Sequence, residues 1–178
     1  MWRFFWKWSI GLCAPLVIVI GLGGRSEAAS FDKIASDKIS VYISRSTGRF
    51  YIESSDLLTY SEGREGEPTS RAMVYVLDKV YTLGDPNAPV TRRRTEGTGP
   101  AAVHRVEYKT GSFFVEQVIR LSRSDTGDID TVAVQYEMIH NGPAPSTAGL
   151  RLLLDTYLGG NDGAPFRVPG VGNVDREA

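Results

Sequence analysis

Apolar and polar residues alternate in steps of two along most of this chain, a period that suits half-buried β-strands and not amphipathic helices. In Lys38-Ile-Ser-Val-Tyr-Ile-Ser44, Ile39, Val41 and Ile43 share one face while Ser40, Tyr42 and Ser44 share the other. Ser46-Thr-Gly48 breaks the run, and Arg49-Phe-Tyr-Ile-Glu53 resumes it with Phe50 and Ile52 inward, as in a hairpin with a bulge at its glycine. Ala72-Met-Val-Tyr-Val-Leu77 is apolar on both faces and predicts a central strand; Val80-Tyr-Thr-Leu83 follows and stops at Gly84-Asp-Pro-Asn87. Thr91-Arg-Arg-Arg-Thr-Glu96 predicts a charged edge or loop, and Ala102-Val-His-Arg-Val-Glu-Tyr108 alternates again. The longest apolar stretches, 112–121 and 130–139, flank the turn-rich Ser124-Asp-Thr-Gly-Asp128 and predict a long hairpin. Ala148-Gly-Leu-Arg-Leu-Leu-Leu-Asp-Thr-Tyr157 is the last strand, because the Gly- and Pro-rich tail beyond it cannot continue a central one. About eight to ten short strands with two apolar faces to hide predict an all-β fold, an antiparallel two-sheet sandwich with little helix.

The first residues follow a different logic. Arg3 and Lys7 precede the apolar run from Ser9 to Leu22, and Ser26-Glu-Ala28 supplies the small residues of a cleavage site, so residues 1–28 predict a signal peptide. An uncleaved anchor is the competing reading, but a span needs about 20 predominantly apolar residues, and this run is shorter and interrupted by Pro15. Removing 28 of the 178 residues leaves 150 (29–178), the size of one domain with a single core and no stable membrane span after processing. Arg3, Lys7 and Arg25 leave with Glu27, so 17 basic and 20 acidic residues remain, a net charge of −3 that offers nucleic acid no electrostatic attraction. Cys13 leaves as well, so no disulfide braces the remainder. Small secreted eukaryotic domains commonly carry such bridges. A bacterial destination follows: periplasmic, cell-surface or extracellular.

Side chains at i and i+4 on a strand share a face, which places Arg151 and Asp155 together, with Leu150, Leu152 and Leu154 on the other side. With Tyr157 they form a candidate ligand-binding set; a structural pair pinning the following turn is the plainer reading. Asp155, Asn161 and Asp162 offer hard oxygens to a Ca²⁺ ion, the one cofactor the sequence raises, although Asn161-Asp162-Gly163 also makes an ordinary tight turn. Arg92-Arg93-Arg94 suits phosphate or a sulfated glycan, or equally a solvated edge that blocks strand pairing. Tyr42, Tyr51 and Tyr157 are predicted outward, where a glycan ring could stack, though strands favour Tyr in any case.

Three segments carry a family resemblance: Lys38-Ile-Ser-Val-Tyr-Ile-Ser-Arg-Ser-Thr-Gly-Arg-Phe-Tyr-Ile52, Asp130-Thr-Val-Ala-Val-Gln-Tyr-Glu-Met-Ile-His-Asn141, and 149–170 with its Leu-Gly-Gly-Asn-Asp-Gly-Ala-Pro-Phe core. Together they resemble exported bacterial proteins of unassigned function whose core is a galactose-mutarotase-like β-sandwich. The resemblance implies further strands beyond Pro169-Gly170, so the expectation is the first half of a longer domain, and an incomplete sandwich implies self-association or a second chain to cover its exposed apolar face. It also raises a mutarotase-type reaction, in which a histidine acid works with a carboxylate base. His104 and His140 are the histidines available. Glu137 points away from His140, Glu116 or Glu137 would have to serve His104, and solvent-facing histidines at strand ends are the simpler expectation. No catalytic residue set is assigned. The preferred reading is an exported non-enzymatic module meeting protein or glycan surfaces; a mutarotase-like carbohydrate-active enzyme and a metal-stabilised adhesion domain are the alternatives.

Overall fold

The computed structural model describes residues 30–54, 59, 66–144, 146–158, 161–162, 166–168 and 172–174, with backbone alone from Tyr157 onward. The expected signal segment, 1–28, lies outside the described residues. In chain order the strands are β1 (Phe31–Ala35), β2 (Ser40–Ser44), β3 (Phe50–Glu53), β4 (Arg71–Val76), β5 (Lys79–Thr82), β6 (Val90–Glu96), β7 (Val103–Thr110), β8 (Phe113–Arg123), β9 (Ile129–His140) and β10 (Ala148–Leu153). Four short strands follow as two hairpins: β11 (Tyr157–Leu158) with β12 (Asn161–Asp162), and β13 (Phe166–Val168) with β14 (Gly172–Val174). A single 3₁₀ turn at Gly99–Ala101 is the only helical element among the described residues, and no described helix is long and apolar enough to cross a membrane.

All pairings are antiparallel, in three main sheets ordered β1-β2-β3, β10-β4-β5 and β6-β7-β8-β9. The inner face of the four-stranded sheet is set by strict alternation: His104, Val106 and Tyr108 on β7 lie opposite Ile119, Gln117 and Val115 on β8, and all six are buried. Its core continues into Ile34, Val41, Ile43 and Phe50 of the first sheet and Ala72 and Val74 of the second. The expected sandwich therefore has two layers, one of them divided between two three-stranded sheets. Each fully buried Val, Leu, Ile or Phe side chain contributes about 1.5–3 kcal/mol. That burial holds the fold without a disulfide, since the chain's one cysteine is Cys13.

Several of the polar groups inside are paired. Gln117 Nε2 donates to Gly48 O at 2.8 Å, and Gln117 Oε1 accepts from the Tyr136 hydroxyl at 2.8 Å. Burial raises both phenols, Tyr108 and Tyr136, above their ordinary value, so they stay protonated. On the outer face of β6–β8, Arg94 binds Glu96, Glu107 and Glu116 at 2.8–3.1 Å, and Arg105 binds Glu116 at 2.9 Å.

The structure departs from the sequence expectation in several places. Phe31–Ala35 is a strand that the periodicity did not mark, because it has only five residues and sets Asp32 and Lys33 among its apolar positions. Leu77 is not a strand residue: β4 ends at Val76, and Leu77 opens the two-residue turn to Lys79 with φ 52° and 81% exposure. β4 is central, as expected, yet its outer-facing Tyr75 meets solvent. Thr91–Glu96 resolves as the edge strand β6, with a bulge between Val90 and Arg92 that disrupts its pairing line.

Candidate functional site

Asp32 lies on β1 opposite Ile43, on the core-facing side at the margin of the first sheet. Its Oδ1 accepts from Arg45 Nε at 2.8 Å, and its Oδ2 lies 3.2 Å from His104 Nε2 and 3.7 Å from Arg93 Nε. Arg93 Nη1 also donates to the Arg45 carbonyl at 2.6 Å, so two guanidinium groups and one imidazole converge on one carboxylate. Desolvation is the largest single influence on Asp32 and would raise it. The hydrogen bonds and charges of Arg45 and His104 together outweigh that influence and hold the carboxyl below its usual range. His104 shifts the other way: burial dominates over its Asp32 partner and lowers its proton affinity, leaving a neutral ring. A carboxylate only accepts, so the proton of that neutral ring sits on Nε2. Nδ1 is buried and without a partner among the described residues.

This is the histidine–carboxylate couple that acid–base chemistry uses, assembled from a residue the periodicity missed. The sequence expectation of solvent-facing histidines is corrected for His104, which is 1% exposed. Its inward direction was legible, since His104 alternates with Val106 and Tyr108, both core residues. Glu116 cannot serve it, because Glu116 lies on the opposite face of the sheet, bound to Arg94 and Arg105. Glu137, paired with Glu116 across β8 and β9, shares that outer face. His140 is half-buried at the end of β9, its ring tilted 37° against Phe113 at 4.6 Å.

The second cluster sits on β10. Its register against β4 puts Leu150 opposite Val74 and Leu152 opposite Ala72, on the inner face, and Arg151 opposite Met73 on the outer face. Val74 and Ala72 are buried, whereas Leu150, Leu152 and Leu154 are 39%, 38% and 47% exposed. The inner face of β10 is thus less covered than that of β4. Arg151 is exposed and forms no ion pair with Asp155. Asp155 instead accepts from Thr69 Oγ1 at 2.7 Å, and its backbone N–H donates to Ser70 Oγ at 3.1 Å, extending the β10–β4 register past the strand end. The structure thus keeps Arg151 and Asp155 on one face without joining them.

Tyr157, Asn161 and Asp162 have described backbones, paired Tyr157 to Asp162 and Leu158 to Asn161, but their side chains lie outside the described residues. Among the described residues no cluster of three metal-ligating side chains forms. Tyr51 points to the outer face but is buried, which corrects its place in an exposed aromatic platform. Tyr42 stacks on it at 4.7 Å, Phe31 meets both edge-on, and Lys33 Nζ sits 4.8 Å from the Tyr42 ring centre, so neither face of Tyr42 is free for a sugar. Arg92 is exposed, while Arg93 and Arg94 are drawn to opposite sides of the sheet by Asp32 and by Glu107 with Glu116. Two polar depressions of about 390 and 380 Å³ flank Ser36-Asp-Lys38, where Lys38 pairs with Asp128 at 3.0 Å. No protein-family model, no curated protein and no solved structure matches this chain.

Proposed function

We propose that this chain is an exported, non-enzymatic β-sandwich module that works by surface contact with protein or glycan, and that the open β10 margin is its contact face. The observation that carries the reading is the row Leu150, Leu152 and Leu154, inner-face leucines left more than a third exposed beside the fully buried Val74. Contiguous exposed apolar surface at a free strand edge marks a place of association. Arg151, exposed on the other side of the same strand, adds charge at its rim. Export rests on Arg3, Lys7, the apolar run after them and Ser26-Glu-Ala28.

In a bacterial host the chain is expected outside the cytoplasm with Ala29 as its first residue; accumulation of the uncut chain inside the cell counts against export. Purified protein is expected to bind envelope proteins or polysaccharide. Leu152→Asp should weaken that binding about tenfold with an unchanged circular-dichroism spectrum. Undiminished binding would remove β10 as the contact face.

One observation favours a mutarotase-like activity as a second reading: the 3.2 Å approach of His104 Nε2 to Asp32 Oδ2. Polarimetry of aldose mutarotation decides it. A rate above buffer that disappears in His104→Ala supports this reading over the first, and a buffer rate removes it.

A further inference from the structure

We propose that the occupant of the β10 margin is a second copy of this chain, added edge to edge so that β10 pairs antiparallel with the partner's β10 about a two-fold axis through Leu153. The proposal rests on the contact-face reading and specifies its partner. Its basis is the charge order of the strand. Arg151-Leu-Leu-Leu-Asp155 has a cation at one end and a carboxylate at the other. Antiparallel pairing centred on the middle residue therefore sets Arg151 opposite the partner's Asp155, and the symmetry forms the pair twice. The same register brings Leu152 opposite the partner's Leu154 on the inner face, covering side chains that are 38% and 47% exposed in the single chain. A centre on a residue keeps each face with its like, so the outer ion pairs and the inner leucines are satisfied together.

The groups are placed to accept it. Arg151 is exposed with no ion pair among the described residues. Asp155 uses Oδ2 for Thr69, leaving Oδ1 for a guanidinium, and its N–H bond to Ser70 keeps the chain running alongside β4 to that point. Among the described residues β10 is the edge of its sheet, with no named strand on its outward side, and the chain just past Asp155 is held by an antiparallel bridge from Thr156 to Thr59. The two edges of the four-stranded sheet are less suited. β6 carries three arginines and a bulge. β9 carries Asp130 and Glu137 and neither Lys nor Arg, so it cannot match its own charges. The product is a continuous sheet, β5-β4-β10 extended by the same three strands of the partner.

Sedimentation velocity of the full chain at about 100 μM is expected to give a dimer. Arg151→Asp and Asp155→Lys should each sediment as monomers. Mixed in equal amounts they should return to a dimer, since each then supplies the charge the other lacks. Because Asp155 also holds Thr69, a second variant stands beside it: Leu153→Cys in a Cys13→Ser background, which should form an interchain disulfide on oxidation. A monomeric wild type, a dimer indifferent to Arg151→Asp, or no cross-link at residue 153 overturns the proposal. If envelope binding still depends on Leu152 in that case, the contact-face reading survives without the dimer; if neither is seen, both fall.

Discussion

Gly48 shows how much a single position can constrain this fold. It adopts φ +70°, and a Cβ there would collide with the Tyr108 hydroxyl, whose ring is buried in the four-stranded sheet. Gly127 has a similar φ of +88° with open space around it, so only the backbone penalty applies. Gly127→Ala is expected to cost about 1 kcal/mol and Gly48→Ala at least about 3 kcal/mol in urea unfolding; equal costs would mean that the close approach to Tyr108 is unimportant. His104 governs a pH response. Burial lowers its proton affinity below the ordinary 6.5, so the unfolded chain takes up a proton more readily than the folded one. Stability from this residue is complete above that value and is lost as pH falls from it through the lowered folded value. Asp32, held below 3.8, remains charged through that window and gives up its own contribution only in stronger acid. The urea midpoint should be flat above neutrality and decline below pH 6.5, and His104→Gln should flatten that decline; a wild-type midpoint level down to pH 5 would contradict the assignment.

At the scale of elements, alternation located β2, β7, β8 and β9 to within about two residues, because each has one mainly apolar face against the core, interrupted on β7 by His104 and on β8 by Gln117. β1 was invisible to it. Asp32 sits on the inner side with Ile34, so the core face is half polar, and the carboxylate is acceptable there only because Arg45, Arg93 and His104 meet it. The alternation of His104 with Val106 and Tyr108 carried the signal for half of the histidine–carboxylate pair, although the sequence expectation set that histidine toward solvent, and nothing in the periodicity marked Asp32. Exposure was also hard to read: Tyr51 faces outward as alternation requires, but Phe31 and Tyr42 cover it. The β4–β5 turn carries an avoidable cost. Leu77 at φ 52° is held where branched side chains are disfavoured, and at 81% exposure its side chain gains little in return. Leu77→Gly should raise stability by about 0.5–1 kcal/mol, read as a higher thermal midpoint; a lowered midpoint would show that Leu77 makes contacts the fold relies on.

Across the whole molecule, the first sheet and the β4–β5 pair share one cover, the inner face of β7 and β8. Neither has a core of its own, since Val41, Ile43, Phe50 and Val74 all enter the same buried cluster. A fragment ending at residue 102 keeps β1 to β6 yet lacks that cover, and its far-ultraviolet spectrum is expected to be that of an unfolded chain. A cooperative melt from the fragment would show that the layers stand separately. The link from Asp32 to His104 spans 72 positions. During synthesis, then, the leading strand emerges from the ribosome long before its anchor is translated. The first sheet therefore has its cover only once β7 and β8 have been made.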